Sequence, residues 1–193
     1  MLATQCPPEI AEFAERCRER IRNTDDEQRL TQEIARDLTQ VLDAGFDLPE
    51  ELRRPQEERY IMYPLYVSED DDLSIASAVW NVAQGTPVHG HETWGVVGIY
   101  SGQETERQYE KPQREGVPLS ALDQAVWSPG QVTVCCTIDD DVHQVWNDGD
   151  VPCVGIHVYG RDIGRLERRS YDPETGDQSW FVSTWPTDND EEK

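Results

Sequence analysis

From residue 60 onward the chain is cut into short runs rich in β-branched and aromatic residues, and this texture limits its fold more than any other feature. The runs cover 60–67, 73–82, 93–100, 104–109, 132–137, 144–146, 153–159, 168–171 and 180–184, separated by turns built on Gly, Pro and Asp. Strands this short cannot stand alone. They predict a mainly β protein, a barrel or sandwich in which each strand finds neighbours. The preceding residues have a different period. Ile10, Phe13, Cys17 and Ile21 fit a short amphipathic helix over 8–22. Thr24-Asp-Asp-Glu27 has the form of a capping box and opens a second helix with Leu30, Ile34, Leu38, Val41 and Leu42 on one face. Gly45 is its expected stop, and a further helical turn fits between Leu48-Pro49 and Arg54-Pro55. These helices are expected to cover one end of the β structure and to carry no chemistry. The division is a helical extension over 1–57, a barrel over 58–187 and an acidic tail over 188–193.

Charge narrows the functional classes. The formal net charge is −22, which repels phosphates and excludes a nucleic-acid partner. Lysine is nearly absent: Lys111 and Lys193 are the only two among 17 basic residues, the rest being arginine. Acidic residues are spread along the whole chain, so in dilute buffer the folded surface repels itself. At about 1 M salt the Debye length falls to about 3 Å and that repulsion is screened. The composition therefore predicts a halophilic protein whose melting temperature rises as KCl is raised from about 0.1 M to molar levels. A flat response would refute it. No apolar run reaches the roughly 18 residues of a membrane span, and the first residues lack the basic and apolar regions of a signal peptide. A cytoplasmic location is expected. The 5 cysteines include the adjacent Cys135 and Cys136 but no Cys-x-x-Cys, which argues against a disulfide framework and against ribbon-type zinc.

All 4 histidines lie between positions 89 and 157. His89 and His91 occupy alternate positions, so on a strand they aim at one point. Imidazole is the commonest protein metal ligand, and His143 from a distant strand would complete a facial set of three. The histidine pattern thus predicts a metal site formed by His89, His91 and His143.

The segment 85–102 resembles the first motif of the cupins, in which His-x-His is followed by a glutamate and then a glycine. His89, His91 and Gly102 match, while Gly95 stands in the place of the glutamate. His143 and Asn147 match the second motif, although its upstream Pro-x-Gly is replaced by Ile138-Asp139-Asp140. A three-histidine set without the carboxylate resembles the thiol dioxygenases, the cysteine and 3-mercaptopropionate dioxygenase family. That likeness covers roughly residues 58–185 and includes Thr86–Gly98, Ile156-His157-Val158-Tyr159-Gly160 and Tyr171-Asp-Pro-Glu-Thr-Gly176.

The resemblance implies a cupin double-stranded β-helix, or jelly-roll barrel, holding Fe(2+) on His89, His91 and His143. The expected reaction joins a small thiol with O2 to give a sulfinate, with no membrane or nucleic-acid partner and the chain acting as a monomer. Iron suits the site because zinc has no redox chemistry, and facial ligand sets with open positions are a mark of non-haem iron oxygenases. His157 and Tyr159 match the last two members of a Ser-His-Tyr relay, Tyr159 assisting the reaction and His157 holding it. Gly155 stands where the serine would be, and a water could fill in. Some relatives carry a Cys–Tyr crosslink; its cysteine position is Gly95 here, so none is expected with Tyr159. The family's substrate-holding Arg or Gln aligns with Met62, two residues after Tyr60. Methionine cannot hold a carboxylate, so Arg168 is the candidate cation, with a surface salt bridge as its competing role. Tyr60 and Trp94 are candidates for the pocket wall. One of Asp139, Asp140 or Asp141 is a candidate to orient His143. Two other readings stay open at this point: a cupin metalloenzyme acting on a non-thiol substrate, and a non-catalytic cupin that binds a metal or small molecule.

Overall fold

The computed structural model describes residues 6–137 and 141–186; the acidic tail lies outside the described residues. Two helices open the chain, α1 over Pro8–Asn23 and α2 over Glu27–Ala44, followed by a 3-10 turn at Glu50–Leu52. α2 does not start as the capping-box reading predicts. Asp26 is its N-cap, accepting a 3.0 Å hydrogen bond from the Arg29 amide, while Thr24 Oγ1 accepts from the Asp26 amide and shapes the preceding turn. Asp outcompetes Thr because its carboxylate also meets the positive end of the helix dipole. Gly45 ends the helix as expected, with φ at 74° and its amide returned to Val41 and Leu42.

Eleven strands follow among the described residues: β1 Ile61–Val67, β2 Ser74–Trp80, β3 Val88–His89, β4 Gly95–Ser101, β5 Glu104–Tyr109, β6 Ala121–Trp127, β7 Val132–Cys136, β8 His143–Trp146, β9 Cys153–Tyr159, β10 Arg168–Tyr171 and β11 Gln178–Phe181. They form two antiparallel sheets, one ordered β1-β2-β9-β4-β7 and the other β11-β10-β3-β8-β5-β6. From β2 to β10 the chain crosses between the sheets at every step but β5 to β6, which gives the double-stranded β-helix of the cupin fold. Two strands escape the sequence pattern. β3 is only two residues long, and β6 is an edge strand with most of its side chains in solvent, so neither carries a buried stripe to read.

The helices lie on a face of the first sheet, not at an end of the barrel as the sequence suggests. α2 packs on β4 and β7. The close approach is set at Gly98: a Cβ there would stand 2.7 Å from Leu42 Cδ1 and 2.9 Å from Leu38 Cδ2. β9 is buried along its whole length. Val154, Ile156 and Val158 face the helical core formed with Phe13, Ile34 and Leu38, while Tyr159 packs in the second cluster between the sheets. Each fully buried Phe, Leu or Ile is worth about 1.5–3 kcal/mol. Arg20 of α1 joins Glu33 and Asp37 of α2, tying the two helices together. All 5 cysteines are free thiols. No described helix is long and apolar enough to cross a membrane.

Candidate metal centre

The three ligand candidates meet between the sheets. His89 closes β3 and pairs directly across with His143 on β8. His91 lies just beyond the end of β3, so its convergence with His89 is not simple strand alternation. Asp141 arranges it: one carboxylate oxygen accepts from the backbone amides of His91 (3.1 Å) and Glu92 (3.0 Å). Glu92 takes a left-handed φ of 54°, and its side chain grips Arg169 through two bonds of 2.6 and 2.9 Å. The Lys111 ammonium lies 2.9 Å from the other Asp141 oxygen. Asp141 therefore holds the His91 backbone and does not orient His143; Asp139 and Asp140 fall outside the described residues.

One nitrogen from each of His89, His91 and His143 lies within 4.8 Å of the others. The rings sit 4.8–4.9 Å apart by centroid, inclined to one another. Two rings have their tautomers set from outside. His89 Nδ1 donates to the Pro87 carbonyl at 3.0 Å, and His143 Nδ1 lies 2.7 Å from Glu106 Oε1. A backbone carbonyl and a carboxylate behind the imidazoles are the usual supports of metal-binding histidines. They leave the far nitrogens as lone pairs, and His143 Nε2 is buried with no hydrogen-bond partner. Burial, and then the neighbouring imidazoles, hold His89 and His91 well below the ordinary histidine range, so both are neutral. Neutral rings, an orphaned Nε2 and outer acceptors fit a divalent metal. Glu106, whose second oxygen accepts from Trp127 Nε1 at 2.9 Å, is the residue that sequence reasoning missed. Its signal was the pair Glu104-Thr-Glu106, two carboxylates on one face of a strand.

At Gly95 no side chain fits without movement. A Cβ there would meet Cys136 Sγ at 2.5 Å, Cys135 Sγ at 2.9 Å and Tyr159 Cδ1 at 3.2 Å. The two thiols are 3.2 Å apart and buried. They fill the space of the missing carboxylate with thiols of raised pKa, Cys135 through its hydrogen bond with Cys136 and then burial, Cys136 through burial.

His157 and Tyr159 share one face of β9, as the period of two predicts, and the His157 Nδ1 to Tyr159 hydroxyl distance is 2.9 Å. The Tyr159 ring stacks against His91 at 5.2 Å. Burial drives His157 down to about 3 and lifts Tyr159 well above its usual value, so both are neutral. Asn147 binds the Val151 carbonyl and the Gly149 amide, and so shapes the turn after β8.

Arg168 is 2% exposed, so it is no surface salt bridge. Among the described residues it has no carboxylate partner. Its Nη2 bonds Ser183 Oγ at 2.6 Å, its guanidinium sits 4.6 Å from the centre of the Phe181 ring, and its Nε is buried without a partner. Arg168, Tyr60 and Met62 line the same small cavity as the three histidines, His157 and Tyr159. The cavity measures about 20 Å³, room for about one water. Tyr60 and Met62 also wall an outer cleft of about 240 Å³ with Arg59, Phe181 and Ser183, so they separate the centre from the surface. Trp94 does not join them; it packs in the helix-side core and covers Gly160.

No protein-family model matches the chain. Solved structures that resemble it include a conserved protein with a double-stranded β-helix domain from Klebsiella pneumoniae, with 16% identity, 70% of this chain and 95% of that chain covered, and a TM-score of 0.40. A cupin superfamily protein from Desulfitobacterium hafniense aligns at 12% identity over 61% of this chain and 92% of that chain, with a TM-score of 0.45. An RmlC-like cupin from Methanocaldococcus jannaschii aligns at 12% identity over 61% and 93%, with a TM-score of 0.42. At these identities the likeness is one of fold.

Proposed function

We propose that this protein is a cytoplasmic non-haem iron(II) thiol dioxygenase acting on a small thiol that carries a carboxylate, such as cysteine or 3-mercaptopropionate. The observation that carries the reading is a juxtaposition: three imidazoles share a cavity, which no carboxylate lines, with a buried arginine that has no carboxylate partner among the described residues. The net reaction is R–SH + O2 → R–SO2H, in which both oxygen atoms end on sulfur and the sulfur is oxidised by four electrons. Iron(II) held by His89, His91 and His143 would supply the redox chemistry and the positive charge that favours a thiolate.

The chain's own residues supply the rest. Arg168 receives the substrate carboxylate through its guanidinium, whose Nε has no partner among the described residues, where Met62 cannot. Burial makes that contact strong, because an unpaired charge in a low-dielectric site is costly and a substrate anion relieves it. The Tyr159 hydroxyl, positioned by His157, offers a hydrogen bond beside the reacting sulfur. Cys135, Cys136 and Gly95 keep a fourth protein ligand out. Since the inner cavity holds about one water, substrate entry requires Met62 or Tyr60 to turn toward the outer cleft.

The test is anaerobic loading with Fe(II), followed by oxygen uptake across a panel of thiols in high-salt buffer. Thiol-dependent uptake with one sulfinate formed per O2 is expected. Bound iron with no uptake for any thiol would overturn the assignment.

A further inference from the structure

β5 places Glu104 and Glu106 two residues apart, so the strand period turns both into the barrel. Glu106 is accounted for by His143 and Trp127. Glu104 is not. It is buried, and its Oε2 has no hydrogen-bond partner among the described residues. The nearest basic atom to that oxygen is His157 Nε2 at 3.9 Å, itself buried and unpartnered. His157 has already committed its other ring nitrogen to Tyr159. A buried polar atom left unsatisfied costs about 1–3 kcal/mol, and here two of them face each other across a gap that a small side-chain rotation or one bridging water would close.

Position 155 adds an independent observation. A Cβ on Gly155 would stand 2.7 Å from His157 Nε2 and 3.0 Å from its Cδ2. The imidazole therefore leans into the space that a side chain at 155 would need. Support for Nε2 cannot come from β9 without displacing the ring, and must come from across the barrel. Glu104 is the group that stands there.

We propose that Glu104 is a positioning residue: its carboxyl O–H donates to His157 Nε2, so that His157 Nδ1–H donates to the Tyr159 oxygen, which holds His157 in a single tautomer and leaves the Tyr159 O–H free to point at the centre. β5 then serves the centre twice, Glu106 steadying a ligand and Glu104 steadying the residue behind Tyr159. Only the consequence for turnover rests on the thiol dioxygenase reading; the chain of hydrogen bonds does not.

The metal-free protein tests it by nitrogen-15 NMR with labelled histidine, since the chain has 4 histidines and each can be assigned by single replacement. Wild type should show one neutral tautomer at His157. Glu104→Gln, whose amide N–H can donate to Nε2 in the same way, should keep it. Glu104→Leu should give a mixture, and if that variant does not fold, Glu104→Asp, which draws the carboxyl back by one methylene, carries the same expectation. A folded Leu or Asp variant with the wild-type tautomer intact would overturn the proposal. In the iron-loaded enzyme the Leu variant should lose about tenfold or more in kcat with little change in KM, and Gln should restore most of it. Unchanged kcat would overturn the role in turnover. Absence of thiol oxidation in wild type would count against the proposed function and leave the tautomer result standing.

Discussion

Glu106 offers the sharpest test of the metal centre, because it reaches the ligand set through one hydrogen bond, to His143. Its Oε1 lies 2.7 Å from His143 Nδ1, and both side chains are almost fully buried. The carboxylate can only accept, so it forces the proton onto Nδ1 and leaves Nε2 as a lone pair with no other partner. Removing such an outer acceptor typically costs about 10–100-fold in metal affinity, equivalent to about 1.4–2.7 kcal/mol. The two ends of that range belong to different variants. Glu106→Gln keeps one acceptor oxygen for His143 but loses the charge and turns its NH2 toward Trp127 Nε1, which can only donate, so a loss of about tenfold is expected. Glu106→Ala also frees the His143 ring to turn and orphans Trp127 Nε1, so the loss should approach a hundredfold. The assay is anaerobic competition for Fe(II), with Zn(II) in parallel, against a chromophoric chelator, with near-ultraviolet circular dichroism to verify folding. Two folded variants with wild-type affinity for both ions would refute the geometry of the centre.

Three further perturbations probe its surroundings. Gly95→Glu should not create a fourth ligand, because its Cβ would press on Cys136 Sγ at 2.5 Å and Cys135 Sγ at 2.9 Å; overpacking of that kind costs about 1–3 kcal/mol, and an unchanged melting temperature would contradict it. Arg168→Met should lower kcat/KM about 10–100-fold for thiols bearing a carboxylate, as loss of a charged hydrogen bond worth about 1.5–3 kcal/mol requires, while a thiol without a carboxylate should be little affected. Equal losses for both would remove Arg168 from substrate binding. Asp71 joins Arg161 through Nε at 2.8 Å and Nη2 at 2.6 Å, and these bonds hold its pKa below the ordinary carboxyl value. A depressed carboxyl stabilises the fold above its unfolded pKa and loses that contribution as pH falls through the folded one, so wild type should lose more stability than Asp71→Asn from about pH 4 downward. Parallel acid-unfolding curves would show the pair to be inert.

How much of this was legible in the sequence depended on whether a residue's partner could be read from its period. His157 and Tyr159 sit on a strand whose alternation puts both on one face, and most of the strands carry buried positions that mark them. What failed had no such mark. β6 is exposed along most of its length. Glu104 and Glu106 look like solvated charges until β8 and β9 are known to lie opposite them. Asp141 acts on the backbone of a residue fifty positions away, a contact no local pattern encodes. The helices were recognised as amphipathic, but the surface they cover is set by Gly98, whose missing side chain carries meaning only once Leu38 and Leu42 are placed against it.

β9 has a consequence for how the chain can go wrong. Its odd-numbered positions supply His157 and Tyr159 to the centre, and its even-numbered ones supply Val154, Ile156 and Val158 to the helical layer. A slip of one residue would put Ile156 among the histidines and push His157 against the leucines of α2, so one error spoils both sides at once. The strand thus proofreads its own alignment during folding. Single-residue insertions or deletions should be excluded from 153–159, yet accepted at residues 113–115 of the β5–β6 connection, which face solvent.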